Sequence, residues 1–421
     1  MHTSAHTQKC PQGHTLASTF RALQYRNFRL FFPGVAICQI GLWIQNVAIS
    51  WLVYDMTKSP LTMGTVMFFN AIPLFVLTPF AGVIIDKFHR QKLLTAVQIL
   101  FTLQAFLMAL VTYLGLIQIW NIVALGVFLN CIAAIDVPLR QSTFVCLVDD
   151  PRDLSNAISL NSTCFNVARL LGPAIGGLLI ANYGVGACFI VNFLCILPIV
   201  FLTMMLDIKD VKCGNIQNET ILEGLKEGIE YAAKTPQIST LLLYLAVFSF
   251  IGMTYPMLMP IYTTEVLAAN ADTLGFLMGA TGVGALVSSL FLAAKTTIIG
   301  LRRVLFAGAV VLSLGFIVLG LTNSKIIALI AMFFVGLGVT SSITPDNTLT
   351  QAVVDDDKRG RVMSLNAICY MGTTSISSFV AGFIAHLIGI AHTLILFGVV
   401  MLCFGTFFAY RFSKLTFKSK L

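Results

Sequence analysis

Apolar residues in this chain arrive in blocks. Twelve runs rich in Leu, Ile, Val, Phe, Ala and Gly cover residues 28–54, 60–85, 93–116, 119–144, 155–182, 186–206, 239–262, 272–294, 303–322, 326–345, 361–388 and 391–411. Each has about the 20 residues needed to cross roughly 30 Å of hydrocarbon at about 1.5 Å per residue. Polar positions inside the runs are sparse and weakly periodic, as in helices that meet lipid on one side and other helices on the other. The pattern predicts an all-α polytopic membrane protein with twelve transmembrane helices and no sizeable soluble domain.

The longest polar connection, 207–238, divides the spans into six and six. Its "ILEGLKEGIEYAAKTP" predicts a short amphipathic helix stopped before Pro236. The expected organisation is a tail (1–27), a six-helix bundle (28–206), the linker (207–238), a second six-helix bundle (239–411) and a tail (412–421). A repeat supports the division. "VDDPRDLSNAISLN" (148–161) returns as "VDDDKRGRVMSLN" (354–366), in front of spans five and eleven. Two like-oriented halves predict a pseudo-symmetric pair of bundles, able to rock about a cavity near the membrane midplane.

Composition and charge refine this picture. The chain is 57% hydrophobic and only 10% charged, with a mean hydropathy of +0.89, which excludes the soluble classes. Of the 26 Lys and Arg, all but three fall on one side of the predicted topology. The exceptions are Lys58 and Lys325 on the other side and Arg169 within a span. By the positive-inside rule both termini are expected in the cytoplasm, with the chain in the inner (plasma) membrane. The net charge of +8 then reflects topology, and no nucleic-acid partner is expected. Residues 1–19 are polar, so the first span is expected to be an uncleaved one. The ten cysteines form no C-x-x-C pair. His2, His6, Cys10 and His14 recur every four residues, but Pro11 and Gly13 argue against a helix there, so no metal site is expected. No Ser-His-Asp, phosphate-binding or nucleotide-binding pattern occurs. The chain is therefore expected to be neither an enzyme nor an ATP-driven pump, to need no cofactor, and to work as a monomer in the bilayer.

The connection "GVIIDKFHRQK" (82–92) crowds Asp86, Lys87, His89, Arg90 and Lys92 into seven positions. Gly82-x-x-x-Asp86-Lys87-x-x-Arg90 resembles the loop 2–3 signature of the major facilitator superfamily, G-x-x-x-D-R-x-G-R-[RK]. It departs at Lys87, His89 and Gln91, and a point-charge Lys lacks the bidentate contacts of Arg. The resemblance implies a cytoplasmic latch formed by Gly82, Asp86, Lys87 and Arg90 that holds the halves together in the outward-open state. A cluster that only sets topology is the other reading. "FRALQYRNFRLF" (20–31), "DVPLRQ" (136–141), "ARLLGPAIGG" (168–177) and "RGRVMSLN" (359–366) are similar to the branch that holds the enterobactin exporter and macrolide efflux pumps, the MFS-3 or antiporter-3 group. That resemblance covers nearly the whole chain. It implies the major facilitator fold and places spans one, four, seven and ten around the substrate path.

Polar groups inside spans mark candidate sites, because hydrocarbon offers them no partner. Arg169 lies about 16 Å into span five if that span enters near Ile158. It is either a contact for an anionic or acyl oxygen of the substrate or a structural cation bound to protein oxygens. Ser162, Asn166, Arg169, Pro173 and Gly176 share one side of the span, and Gly172, Pro173, Gly176 and Gly177 predict a bend with close helix contact. In span one, Gln39, Trp43 and Asn46, with Gln45 beside them, form a polar stripe. Asn366 and Tyr370 do so in span eleven. These stripes line the cavity or glue helices together, and Tyr244 and Tyr255 are candidates to stack on a ring-bearing substrate. Asp136 and Arg140 share a helix face near the end of span four, as an ion pair or gate. Asp346, near the end of span ten, has Thr350 where an Arg would pair with it. Asp136 and Asp346 are the peripheral candidates for proton coupling.

Taken together, the expected function is ion-gradient-driven export of an amphipathic small molecule such as a siderophore or a hydrophobic drug. An importer of the same fold and a non-transporting membrane scaffold or sensor are the alternatives.

Overall fold

The structure, a computed structural model, describes residues 21–148, 150–206, 221–295, 300–355 and 358–414. These form a 3-10 turn (Arg21–Gln24) and fourteen helices, with no strand among the described residues. The first six are α1 (Arg26–Thr57), α2 (Pro60–Lys87), α3 (Arg90–Tyr113), α4 (Ile119–Cys146), α5 (Pro151–Tyr183) and α6 (Val185–Met204). The amphipathic linker helix is α7 (Ile221–Lys234). Then follow α8 (Pro236–Gly252), α9 (Tyr255–Glu265), α10 (Ala271–Ala293), α11 (Leu301–Leu321), α12 (Lys325–Val353), α13 (Arg359–Ile388) and α14 (Ile390–Ser413). Counting α8 and α9 as one, twelve spans are long and apolar enough to cross a membrane.

Local chemistry sets the turns. Lys58, in the left-handed region at φ 47°, ends α1, and Ser59 Oγ then accepts the amide of Thr62 while Pro60 opens α2. A single glycine joins α5 to α6 and another joins α13 to α14. Gly184 (φ 80°, ψ 170°) and Gly389 (φ 79°, ψ 160°) adopt nearly the same conformation, one that only glycine takes readily. The repeat thus extends to a backbone turn.

Two expectations are corrected. Span seven is broken: α8 ends at Gly252 and α9 restarts at Tyr255, with Pro256 in its first turn. Proline has no amide to continue the ladder but is tolerated at a helix start. Span ten does not stop at Pro345. It continues to Val353 through the proline, so Asp346 lies well inside a helix. The His/Cys tail and residues 207–220 of the linker lie outside the described residues, as does the side chain of Asp86.

Packing repeats too. In the first half α1 packs on α5 and α6, α2 on α4, and α3 on α4 and α6. In the second, α8 packs on α13 and α14, α10 on α12, and α11 on α12 and α14. Advancing each span by six maps one set onto the other. The halves meet along α5–α10 and α2–α13, which exchange under the same operation. At both seams glycine faces glycine. A Cβ on Gly275 would stand 2.6 Å from the Pro173 carbonyl oxygen and 2.8 Å from Gly177 Cα. A Cβ on Gly382 would stand 2.6 Å from the Pro60 oxygen and 2.9 Å from Gly64 Cα.

These contacts lie toward one end of the molecule, where α2 and α10 begin and α5 and α13 finish. Tyr54 Oη donates to Glu265 Oε1 across the halves at 2.5 Å there. At the other end, rich in Lys and Arg, each half fastens its own lead-in segment. Asp153 accepts from Gln24 (3.0 Å) and Tyr25 (2.9 Å) and pairs with Arg21 (3.2 Å). In the second half, Glu227 of α7 pairs with Lys358 and Arg361, and Tyr231 donates to Asp355 at 2.9 Å. The repeated motif is the cradle for both.

Gly275→Leu should force backbone apart at the α5–α10 seam, a loss of about 1–3 kcal/mol by overpacking. Gly82→Leu, where a Cβ meets nothing within 4 Å, should leave stability unchanged. Thermal unfolding of the purified variants in detergent checks the pair.

Candidate functional site

Between the halves lies a cavity of about 300 Å³. Trp43, Asn46 and Ser50 of α1, Asn70 of α2 and Asn130 of α4 form one wall. Met257 of α9, Met278 of α10, and Thr374 and Ser378 of α13 form the other, with Met253 and Pro256 from the break in span seven. The lining mixes amides and hydroxyls with thioethers and an indole, suited to an amphipathic ligand. Asn70 is 8% exposed, and its Oδ1 is buried against Gly126 without a hydrogen-bond partner. Sequence reading missed Asn70. Its signal was a lone amide inside "FFNAIP".

Arg169, half-buried on α5, donates from Nη2 to Tyr255 Oη of α9 at 2.6 Å, a bond between the halves. Tyr370 of α13 lies close enough to interact electrostatically with the guanidinium. No described carboxylate pairs with Arg169. Three expected residues from three helices therefore converge around one full charge. Trp43 meets Phe165 edge-on at 5.8 Å between centroids. Gln39 and Asn166 are half-buried, one turn before Trp43 and Leu170 respectively.

Other expected residues lie elsewhere. Gln45 is fully buried inside the first half, where its Nε2 donates to Gln104 (3.2 Å) and its Oε1 accepts from Asn192 (2.6 Å), tying α1 to α3 and α6. Tyr244 is 1% exposed in an aromatic cluster with Phe248, Phe306 and Phe408, its Oη donating to the Leu305 carbonyl. It belongs to the core of the second half and not to the cavity wall. Asn366 is buried, its Nδ2 3.5 Å from Asp346 Oδ2. In each case a polar group in an apolar helix found a protein partner before it found water. Asp136 and Arg140 are paired at 2.5 Å, both side chains 7% exposed, and Gln98 donates to the same carboxylate at 3.0 Å. Of the latch residues, Gly82 and Lys87 are exposed, and Arg90 is buried with Nη1 2.8 Å from Cys146 Sγ. Gly172 and Gly176 lie against α1, at Trp43 and Ile44, and α5 runs unbroken through Pro173.

On the basic side of the glycine seams, Ser162 and Thr163 of α5, Asn347 and Thr348 of α12 and Ser364 of α13 are exposed. The hydroxyls each donate to a carbonyl one turn back on their own helix.

A model of the MFS_3 family, described as transmembrane secretion effector, matches residues 17–420. The chain belongs to this family. The chain is also 24% identical to the staphyloferrin A transporter of Staphylococcus aureus, over 93% of this chain and 97% of that protein. It is 24% identical to the multidrug efflux pump Tap of Mycolicibacterium fortuitum (87% and 90%), and 20% identical to macrolide efflux protein A of Streptococcus pyogenes (90% and 95%). The fold matches that of a bacterial homologue of the lysosomal transporter Spinster, solved inward-facing and unoccupied, with TM-score 0.71 at 14% identity over 92% and 97% of the two chains. It also matches the nucleoside transporter NupG, with TM-score 0.72 at 12% identity over 93% and 100%. As a transmembrane secretion effector the chain is a multi-pass membrane transporter of small molecules, not an enzyme.

Asp136→Ala should strand the Arg140 charge in the first half and cost about 3–5 kcal/mol. Chemical unfolding in micelles measures this, with Lys87→Ala on the exposed surface expected to fall within about 0.5 kcal/mol of the parent.

Proposed function

We propose that this protein exports an amphipathic small molecule, a siderophore or a macrolide-like drug, from the cytoplasm by alternating access coupled to a proton gradient. The cavity between the halves carries the reading: it joins amides and hydroxyls to Trp43 and a set of methionines, and Arg169 is bonded to Tyr255, the residue before Pro256 of its wall. A ligand with carboxylate or acyl oxygens on an apolar frame fits both kinds of wall. Arg169 takes the oxygen, Asn46 and Asn70 orient the polar edge, and Trp43 with the methionines covers the apolar face. Relatives named for staphyloferrin A and macrolide movement support that class of cargo.

The basic end is the cytoplasmic one, by the positive-inside rule. The exposed polar residues of α5, α12 and α13 then mark the open, cytoplasmic side, while the glycine seams and the Tyr54–Glu265 bond seal the opposite face. Cargo enters from the cytoplasm, and rocking of the two like-oriented bundles breaks those seals and closes the basic end. Gly82, Asp86, Lys87 and Arg90 act at that second closure.

Everted vesicles should accumulate labelled staphyloferrin A or a labelled macrolide when a proton gradient is imposed. Accumulation without the gradient would refute coupling, and accumulation only in right-side-out vesicles would make the protein an importer. Arg169→Ala should lower flux about tenfold or more, since a hydrogen bond to a charged group is worth about 1.5–3 kcal/mol, while the protein keeps its thermal unfolding profile. Loss of folding without a separate loss of flux would leave Arg169 a structural residue.

A further inference from the structure

Counted back from the repeated Val-Asp-Asp, the two halves carry their ionisable residues at different register positions. Arg140 stands eight residues before Val148, and Asp346 stands eight before Val354. Four residues earlier come Asp136 and Ser342. The first half therefore holds an acid and a base one turn apart, and they neutralise each other at 2.5 Å. In the second half the acid occupies the place of the base, and a serine occupies the place of the acid.

Asp346 has no such partner. It is 0% exposed. Its Oδ2 has only the Asn366 amide, at 3.5 Å, and its Oδ1 has no hydrogen bond. Ser342 Oγ is turned away, donating to the Leu305 carbonyl at 3.2 Å. Thr350, one turn further on, is also buried with its Oγ1 unpartnered. The titratable groups facing the acid are Tyr244 from α8 and Cys369 from α13. Tyr244 has already committed its hydroxyl to Leu305. From α10 and α11 no described residue brings a charge to it, and no described cation neutralises it.

We infer that Asp346 is the group that takes up and releases the transported proton. This rests on the coupling proposed above and names its site. In the conformation seen here the acid is sealed from water with an orphan oxygen, a setting that suits a neutral carboxyl and penalises a carboxylate. The step is simple in balance: one carboxylate oxygen takes one proton from water on one face of the membrane, and the same O–H bond breaks to water on the other. Asp136 cannot take this part while Arg140 and Gln98 hold it as a paired carboxylate. The division is built into the duplication. One half keeps a fixed ion pair, and the other keeps a lone acid that changes charge. Asn366, beside the acid and on the helix that forms the α2–α13 seam, links its charge to the contact between the halves.

The test needs no cargo in its first arm. Infrared difference spectra of the full-length protein in lipid nanodiscs, recorded between two pH values, should show the carbonyl stretch of a protonated carboxyl that titrates. Asp346→Asn should abolish that band, and Asp346→Glu should restore it. A band unchanged in Asp346→Asn, or no titrating band in the parent, overturns the inference. The second arm uses everted vesicles and a labelled macrolide. Gradient-driven accumulation should fall to the level of de-energised vesicles in Asp346→Asn and recover in Asp346→Glu, and uphill accumulation by Asp346→Asn also overturns it. A parent that ignores the gradient would instead sink the coupling proposal, a failure separable from the infrared result.

Discussion

Hydrocarbon offers no hydrogen bonds, and every feature of this molecule answers to that fact. Backbone groups are satisfied within helices, and most polar side chains have either found a protein partner or border open space, the sealed Asp346 and Thr350 being among the exceptions. Gln45 with Gln104 and Asn192 is the first solution, as is Asp136 with Arg140 and Gln98. Asn46, Asn70 and the exposed hydroxyls of α5 and α13 represent the second. A transporter needs both kinds, since the first holds each half rigid and the second leaves a path between them.

The same constraint explains why the seams between the halves are made of glycine. Lipid tails compete with apolar side chains on equal terms, so helix association relies on close packing. Gly177 against Gly275 and Gly64 against Gly382 bring backbone to backbone at one end. Such contacts are tight but carry few side-chain locks, and the rocking motion proposed above would separate them. The Tyr54–Glu265 bond ties half to half at that end, and the Arg169–Tyr255 bond does so deeper in the molecule.

The twelve spans and the duplicated motif were legible in the sequence, because block hydrophobicity is a strong signal and the acidic repeat is literal. Boundaries moved near two prolines: span ten, expected to end at Pro345, runs on to Val353, and span seven, expected to be continuous, breaks just before Pro256. The site was half legible. Arg169, Tyr255 and Tyr370 come together, and Trp43 and Asn46 line the cavity. Tyr244 and Gln45 went to the interiors of their own halves, because period alone says which residues share a helix face and not which neighbour that face meets. Asn70 escaped for the same reason, as a single amide has no period. The exchange of Arg140 for Asp346 was present in the sequence, but it acquires meaning only once both positions are seen to be buried and one of them to be unpaired.

The central claim is that two like-built bundles close alternately around one cavity. The most direct test measures two distances in the same protein in nanodiscs. One spans the basic end, between labels at Phe88 and Gly360, and the other spans the opposite end, between Met56 and Asn270. The account predicts two populations in which one distance lengthens as the other shortens, the structure described here being the one that is short between Met56 and Asn270. A single fixed distance at each end, or two distances that rise and fall together, would contradict it.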